Sequence, residues 1–209
     1  MTVSPPYRSR DFTPVPAHRR PHRTRRGVRV VVTDGASTLL FRDTDPGVPG
    51  SRWWMTPGGG MDPGETEPQT AVRELAEETG LVVEASALIG PVMRRVVVHG
   101  YSDQVCEQTE AFFVLRVSRF EVDTSAHTTD EQQTLVGHAW LPVQGLADQH
   151  DPVWPAGLAG LIANAADPAT WPGDIGRVEE STVPVTRGPG WPTPYAGPAS
   201  ATPGGRTPS

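Results

Sequence analysis

Three glutamates, Glu74, Glu77 and Glu78, stand inside the segment Gly59 to Leu81, GGMDPGETEPQTAVRELAEETGL. At 100° per residue on a helix they share one arc of about 100°, beside a stripe of Ala71, Val72 and Leu75. Thr66 to Thr79 has helix-forming composition; Pro68 suits its first turn and Gly80 the position just past its end. Three carboxylates on adjacent turns repel one another, and the macrodipole disfavours negative charge in the C-terminal half of a helix. Closely spaced carboxylate oxygens suit a hard divalent cation, Mg²⁺ or Mn²⁺, which offsets that repulsion and bridges to phosphate oxygens. A solvated glutamate face is the competing reading of the three acids taken alone. The flanks add weight to a site: Arg73 lies beside Glu77, Gly58 to Gly60 permit close backbone approach, and Glu65 precedes the helix.

With those flanks included, Gly59 to Leu81 resembles the Nudix box, G-x5-E-x7-R-E-U-x-E-E-x-G-U with U aliphatic. Gly59, Glu65, Arg73, Glu74, Leu75, Glu77, Glu78, Gly80 and Leu81 match every specified position. The resemblance implies an α/β protein, a Nudix-type α/β/α sandwich with a mixed β-sheet, in which the box forms a loop, a helix and a loop. It implies metal-dependent hydrolysis of a pyrophosphate bond in a nucleoside diphosphate linked to another moiety, a small-molecule substrate. By the same resemblance Glu74, Glu77 and Glu78 are ligands of Mg²⁺ or Mn²⁺, and the Gly58 carbonyl is a further ligand. Arg73 orients the array, with Gly59, Glu65 and Gly80 as structural members of the box. Family members dimerise often, although nothing in this sequence marks an interface, and no auxiliary mark selects a substrate subclass.

Hydrolysis also needs a carboxylate to position or deprotonate water. Glu74 is the first choice, and a glutamate on a loop beyond the sheet is the rival. That loop is Ser125 to Gln133, SAHTTDEQQ, which makes Glu131 the second catalytic candidate. Glu107 and Glu110, flanking the start of a strand, are weaker alternatives. All 18 basic residues are Arg, so a Walker-type phosphate loop and a Lys Schiff base are excluded. Phosphate must be met by metal, Arg or backbone, with Arg42 and Arg52 as candidates and Trp54 as a stacking surface for a base. His99, His127 and His138 lack metal-ligand spacing, and Cys106 has no evident base beside it.

The elements that must position these residues follow from pattern. Arg29–Val32 and Thr38–Phe41 flank Asp34-Gly35, a hairpin signal. Trp53–Thr56 is a third short strand, stopped by Pro57. Leu81–Val83, Arg95–Val98, Ala111–Val117 and Leu135–Leu141 complete the strands, and Trp154 to Ala166 is a second helix. Short strands with two helices imply a mixed sheet covered on both faces.

The charge of −6 is uneven: residues 1–29 hold eight Arg against Asp11 alone. Residues 1–26 read as a disordered Arg/Pro-rich arm able to make weak nucleic-acid contact, residues 27–180 as the folded domain, and residues 181–209 as a disordered Pro/Gly-rich tail. No apolar run approaches the roughly 18 residues needed to span a bilayer, no signal-peptide core opens the chain, and one cysteine precludes an intrachain disulfide. A cytoplasmic protein is expected.

Overall fold

The computed structural model describes residues 10–185. Its strands are β1 (His22–Thr33), β2 (Ser37–Asp43), β3 (Trp53–Met55), β4 (Ile89–Gly100), β5 (Val105–Arg116), β6 (Leu135–Pro142), β7 (Val153–Trp154) and β8 (Gly173–Glu179). The helices are α1 (Glu67–Thr79), α2 (Thr129–Thr134) and α3 (Leu158–Asn164). Among the described residues no helix is long and apolar enough to cross a membrane.

The strands form one mixed sheet in the order β7-β3-β2-β1-β5-β4-β8, with β6 on the other edge of β2. β1 runs parallel to β5 over its whole length, from His22 beside Val105 to Thr33 beside Arg116. β1 meets β2 only next to the Asp34-Gly35 turn, at Thr33 and Thr38. Beyond that point the two diverge, and the Pro57–Met61 segment takes the vacated edge: Val30 N–H donates to Pro57 O, Val28 N–H to Gly59 O, and Met61 N–H to Arg26 O. That splitting carries the glycine-rich loop onto the flank of the central strand.

Strand alternation then sorts the core into two layers. Val28, Val30 and Val32 of β1, with Ala111, Phe113 and Leu115 of β5, pack against Ala71 and Leu75 of α1. Val31, Phe112 and Val114 face the opposite way and pack against Leu158, Leu161 and Ile162 of α3. A sheet with a helix on each face is the expected α/β/α arrangement. Burial of Leu75 alone is worth about 1.5–3 kcal/mol, and Leu75 is fully buried.

Three element readings need correction. Leu81–Val83 is not a strand: Leu81 and Val83 pack on the α1-side core without a ladder partner, and Val82 is 83% exposed. The C-terminal helix starts at Leu158, not Trp154. Trp154 pairs with Met55 in the sheet, Pro155 lacks an N–H, and Gly157 turns the chain at φ 82° before the helix. β1 begins at His22, so the expected boundary at residue 26 falls inside a strand. Its first half has no apolar pattern to mark it and is held by parallel backbone pairing with β5.

The chain before β1 is packed as well. The Arg10 guanidinium bonds both Asp103 carboxylate oxygens and lies over the rings of Phe12 and Tyr101, and Val15 N–H donates to Ser102 O. At the far end, Thr182 and Val183 donate to Gly100 O. The rest of the two expected tails, residues 1–9 and 186–209, lies outside the described residues.

Candidate active site

α1 is built to hold its acids in place. Thr66 and Gln69 form a reciprocal capping box, Pro68 occupies the first turn, and Gly80 ends the helix at φ 72°. Glu67 at its start pairs with Arg94 and Arg26, while Ala71 and Leu75 dock it on the sheet. Glu74 and Glu78 are thereby turned toward the Pro57–Met61 loop. Gly58 N–H donates to Glu78 Oε2 at 2.7 Å. Gly59 lies so close to Glu74 that a Cβ there would stand 2.5 Å from a carboxylate oxygen. Gly27, outside the box, serves the same approach: its Cβ would stand 2.7 Å from the Gly59 carbonyl.

The third wall is the 123–134 segment. Asp123 N–H donates to Thr79 O, and His127 Nε2 donates to the Glu78 carbonyl at 2.9 Å. Thr44 N–H donates to Thr134 O, closing the far end of α2. Thr128 caps α2, and Glu131 returns the bond: its Oε2 accepts from Thr128 N–H at 2.7 Å and from the hydroxyl at 2.9 Å. As a result Glu74, Glu78 and Glu131 each bring one carboxylate oxygen within 4.8 Å of the others.

Glu77 is placed differently. It is exposed, and its Oε2 accepts from Arg73 Nη1 at 2.9 Å. Arg73 is the tie rod of the box: it also bonds Glu65 through Nε and Nη2, Glu74 through Nη1 and the Gly60 carbonyl through Nη2. Those contacts hold the Glu65 carboxyl down at about 2. The Gly58 carbonyl accepts from Arg29 Nη1 at 3.0 Å.

Electrostatics separate the cluster from its surroundings. Burial, with Glu77 and Glu131 nearby, raises the Glu74 pKa against the opposing pull of Arg73. Burial and the neighbouring Glu74 raise Glu78 well above the usual range, with Gly58 N–H and Arg29 only partly offsetting them. Three converging oxygen donors whose charge the arginines leave under-compensated fit a hard divalent cation.

Several residues of the site region gave little signal in the sequence. Arg29, Glu110, Arg95 and Glu180 form a buried chain of ion pairs: Arg29 to Glu110 at 2.9 Å, Arg95 to Glu110 at 2.7 Å, Arg95 to Glu180 at 2.6 Å. Burial pushes Glu110 up, but the two arginines outweigh it and bring it to about 2. Glu110 is thus committed to Arg29 and Arg95, and Glu107 to Arg177. Asp43, at the end of β2, is pushed up to about 7 by burial. The expected substrate contacts are engaged with other partners. Arg42 pairs with Asp151 and lies over the Trp54 ring, and Arg52 donates to Thr44 Oγ1 and the Ser51 carbonyl. Trp53 is the core member of the tryptophan pair, and Trp54 is half-buried.

Fold and site together make a helix-covered mixed sheet that presents a glycine-rich loop to a helix-borne carboxylate cluster. The NUDIX domain pattern matches residues 23–161, more than half of the chain, and the chain belongs to that family. A putative 8-oxo-dGTP diphosphatase of Bacillus subtilis (strain 168) is 42% identical over 65 residues, which is 31% of this chain and 40% of that protein. An RNA pyrophosphohydrolase of Erythrobacter litoralis (strain HTCC2594) is 50% identical over 36 residues, 17% of this chain and 22% of that one. The chain therefore spans less than half the length of these curated relatives. Among solved structures, a MutT protein from Bacillus halodurans aligns with a TM-score of 0.47 at 21% identity, covering 66% of this chain and 80% of that one. An Ap4A hydrolase from C. elegans aligns with a TM-score of 0.43 at 19% identity, covering 68% and 95%.

Proposed function

We propose that this protein is a metal-dependent hydrolase of a pyrophosphate bond in a nucleoside diphosphate linked to another moiety. The observation that carries the reading is the meeting of Glu74, Glu78 and Glu131 within 4.8 Å, two from α1 and one from a separate segment. Family membership supports it, as do the names of the two relatives, a diphosphatase and a pyrophosphohydrolase.

Glu74 and Glu78 would hold Mg²⁺ or Mn²⁺ together with an oxygen of Glu131. Glu77 stands outside that set, with one oxygen held by Arg73. A divalent cation bound there supplies charge neutralisation on phosphoryl oxygens and lowers the pKa of an attacking water. The chain's own residues do the rest. Arg73 fixes the Glu74 carboxylate, and Gly58 N–H fixes that of Glu78. Thr128 holds Glu131 by one oxygen, which leaves the other either to ligate the cation or, in place of that, to orient or deprotonate water. Glu74, which accepts only from Arg73, also keeps one oxygen free, so Glu74 and Glu131 are the two candidate bases.

A panel of nucleoside diphosphate derivatives, assayed with Mg²⁺ and Mn²⁺ for phosphate or nucleotide release, tests this reading. Turnover of at least one member that disappears on chelation is the expected result; inertness toward the whole panel overturns it.

A further inference from the structure

The α3 face of the sheet holds a partly open cavity of about 10 Å³ lined by Arg29, Thr56, His99, Glu110, Trp154 and Pro155 among others, space for one water-sized group. It lies close to the carboxylates. The segment from Thr56 to Gly58 gives two carbonyls to Arg29 on this side, while Gly58 N–H meets Glu78 on the other. Arg29, Arg95, Glu110 and Glu180 satisfy one another. His99 differs. Its Nδ1 lies 2.7 Å from the Glu180 carbonyl, which only accepts, so Nδ1 carries the hydrogen and Nε2 a lone pair. Burial drives the ring's pKa down to about 3, which keeps it neutral. His99 is 3% exposed, and Nε2 has no hydrogen-bond partner among the described residues. Of the cavity's side chains it alone carries such an orphaned atom. The rings of Trp154 and Tyr101 flank the imidazole at 5.7 and 5.8 Å.

A buried acceptor without a donor carries a desolvation cost that an incoming N–H removes. The cavity is too small for a ring, so a donor supplied by a nucleotide must be a group projecting beyond its ring. We infer that His99 Nε2 is the acceptor of a specificity subsite that takes an exocyclic amino group of the substrate's nucleobase, with Trp154 beside the base. This rests on the hydrolase reading for the substrate being a nucleotide.

Paired substrates differing only in that amino group test it: GTP against ITP, and ATP against purine riboside triphosphate. Each pair is measured on wild type, His99→Leu and His99→Gln for kcat/KM, and for binding by tryptophan fluorescence. In one pair the wild type should favour the amino-bearing member by about tenfold or more, as expected of a site left unpaired by the analogue. His99→Leu should bring that ratio near one, and His99→Gln, which keeps an acceptor, should retain part of it. Ratios near one in the wild type overturn the inference, and so does a ratio that His99→Leu leaves intact, the result expected if only water fills the cavity. If His99→Leu does not fold, the wild-type ratio and His99→Gln decide. Turnover without amino discrimination sinks the subsite and spares the hydrolase reading. Selective binding without turnover of any substrate does the reverse.

Discussion

Glu74 and Glu78 are buried carboxylates whose pKa values are raised, and this has a signed consequence for stability. Between its unfolded and folded pKa such a group holds more protons in the native state, so stability falls as pH rises through that window. Asp43, raised to about 7, acts in the same direction. Chelated protein should therefore lose thermal stability as pH climbs from about 4.5 toward 7 and beyond. Mn²⁺ should raise Tm more at pH 8 than at pH 5.5, and a Mn²⁺ shift that ignores pH in a melting series contradicts this. The glycines allow a second test at the same scale. A Cβ on Gly58 would stand 2.3 Å from the Val28 carbonyl with φ at 132°, whereas one on Gly59 meets the carboxylate end of the Glu74 side chain rather than backbone. Gly58→Ala should impair folding; Gly59→Ala should fold, yet lose turnover and Mn²⁺ affinity. Equal Tm losses in the two variants would refute that division. The box glutamates were legible in the sequence because helical spacing fixes their arc. The closeness of Arg73 to Glu77 was legible for the same reason, but the bonds from Arg73 to Glu65 and the Gly60 carbonyl were not, because they depend on how the loop folds back on the helix.

At the scale of elements, the α1 array is completed by α2, a six-residue helix too short to stand on its own propensity. It is held by Thr128, by His127 on the Glu78 carbonyl and by Thr44 on Thr134. Thr128→Ala removes the cap and the hydroxyl that orients Glu131. It should cost about 1 kcal/mol of stability and lower kcat by about tenfold or more through misplacement of the carboxylate. Denaturant melts beside steady-state kinetics check both, and an unchanged kcat separates α2 from catalysis. The sequence marked Glu131 as a loop acid, but its convergence with α1 depends on contacts 49 residues apart, His127 to Glu78. The α1 caps and the Asp34-Gly35 turn were readable because their signals are local. Leu81–Val83 misled for the opposite reason: inward-facing Leu81 and Val83 look the same whether or not a partner strand exists.

The whole molecule extends past its NUDIX match at residue 161, since β8 adds to β4 and Glu180 completes the ion-pair chain to Arg95. Glu180→Ala leaves a buried guanidinium short of a partner and should cost about 3–5 kcal/mol in urea unfolding. An unchanged midpoint would mean that the Arg95–Glu180 pair contributes nothing to the domain's stability. That network was hidden in the sequence because its members, Arg29, Arg95, Glu110 and Glu180, lie far apart along the chain, and charged residues in strands look like surface. The basic bias of the first 29 residues also changes meaning. Arg10 and Arg29 are engaged inside the fold, and His22 to Arg26 form a strand. The claim on which the rest depends is that the three meeting carboxylates form a cation site for pyrophosphate hydrolysis. The most direct measurement compares wild type with Glu78→Gln on the best substrate of the panel, across a Mg²⁺ and Mn²⁺ titration, with circular dichroism confirming the fold. Cation-dependent turnover that falls at least about 100-fold in the folded variant is the predicted result, and a folded Glu78→Gln protein with wild-type turnover would contradict it.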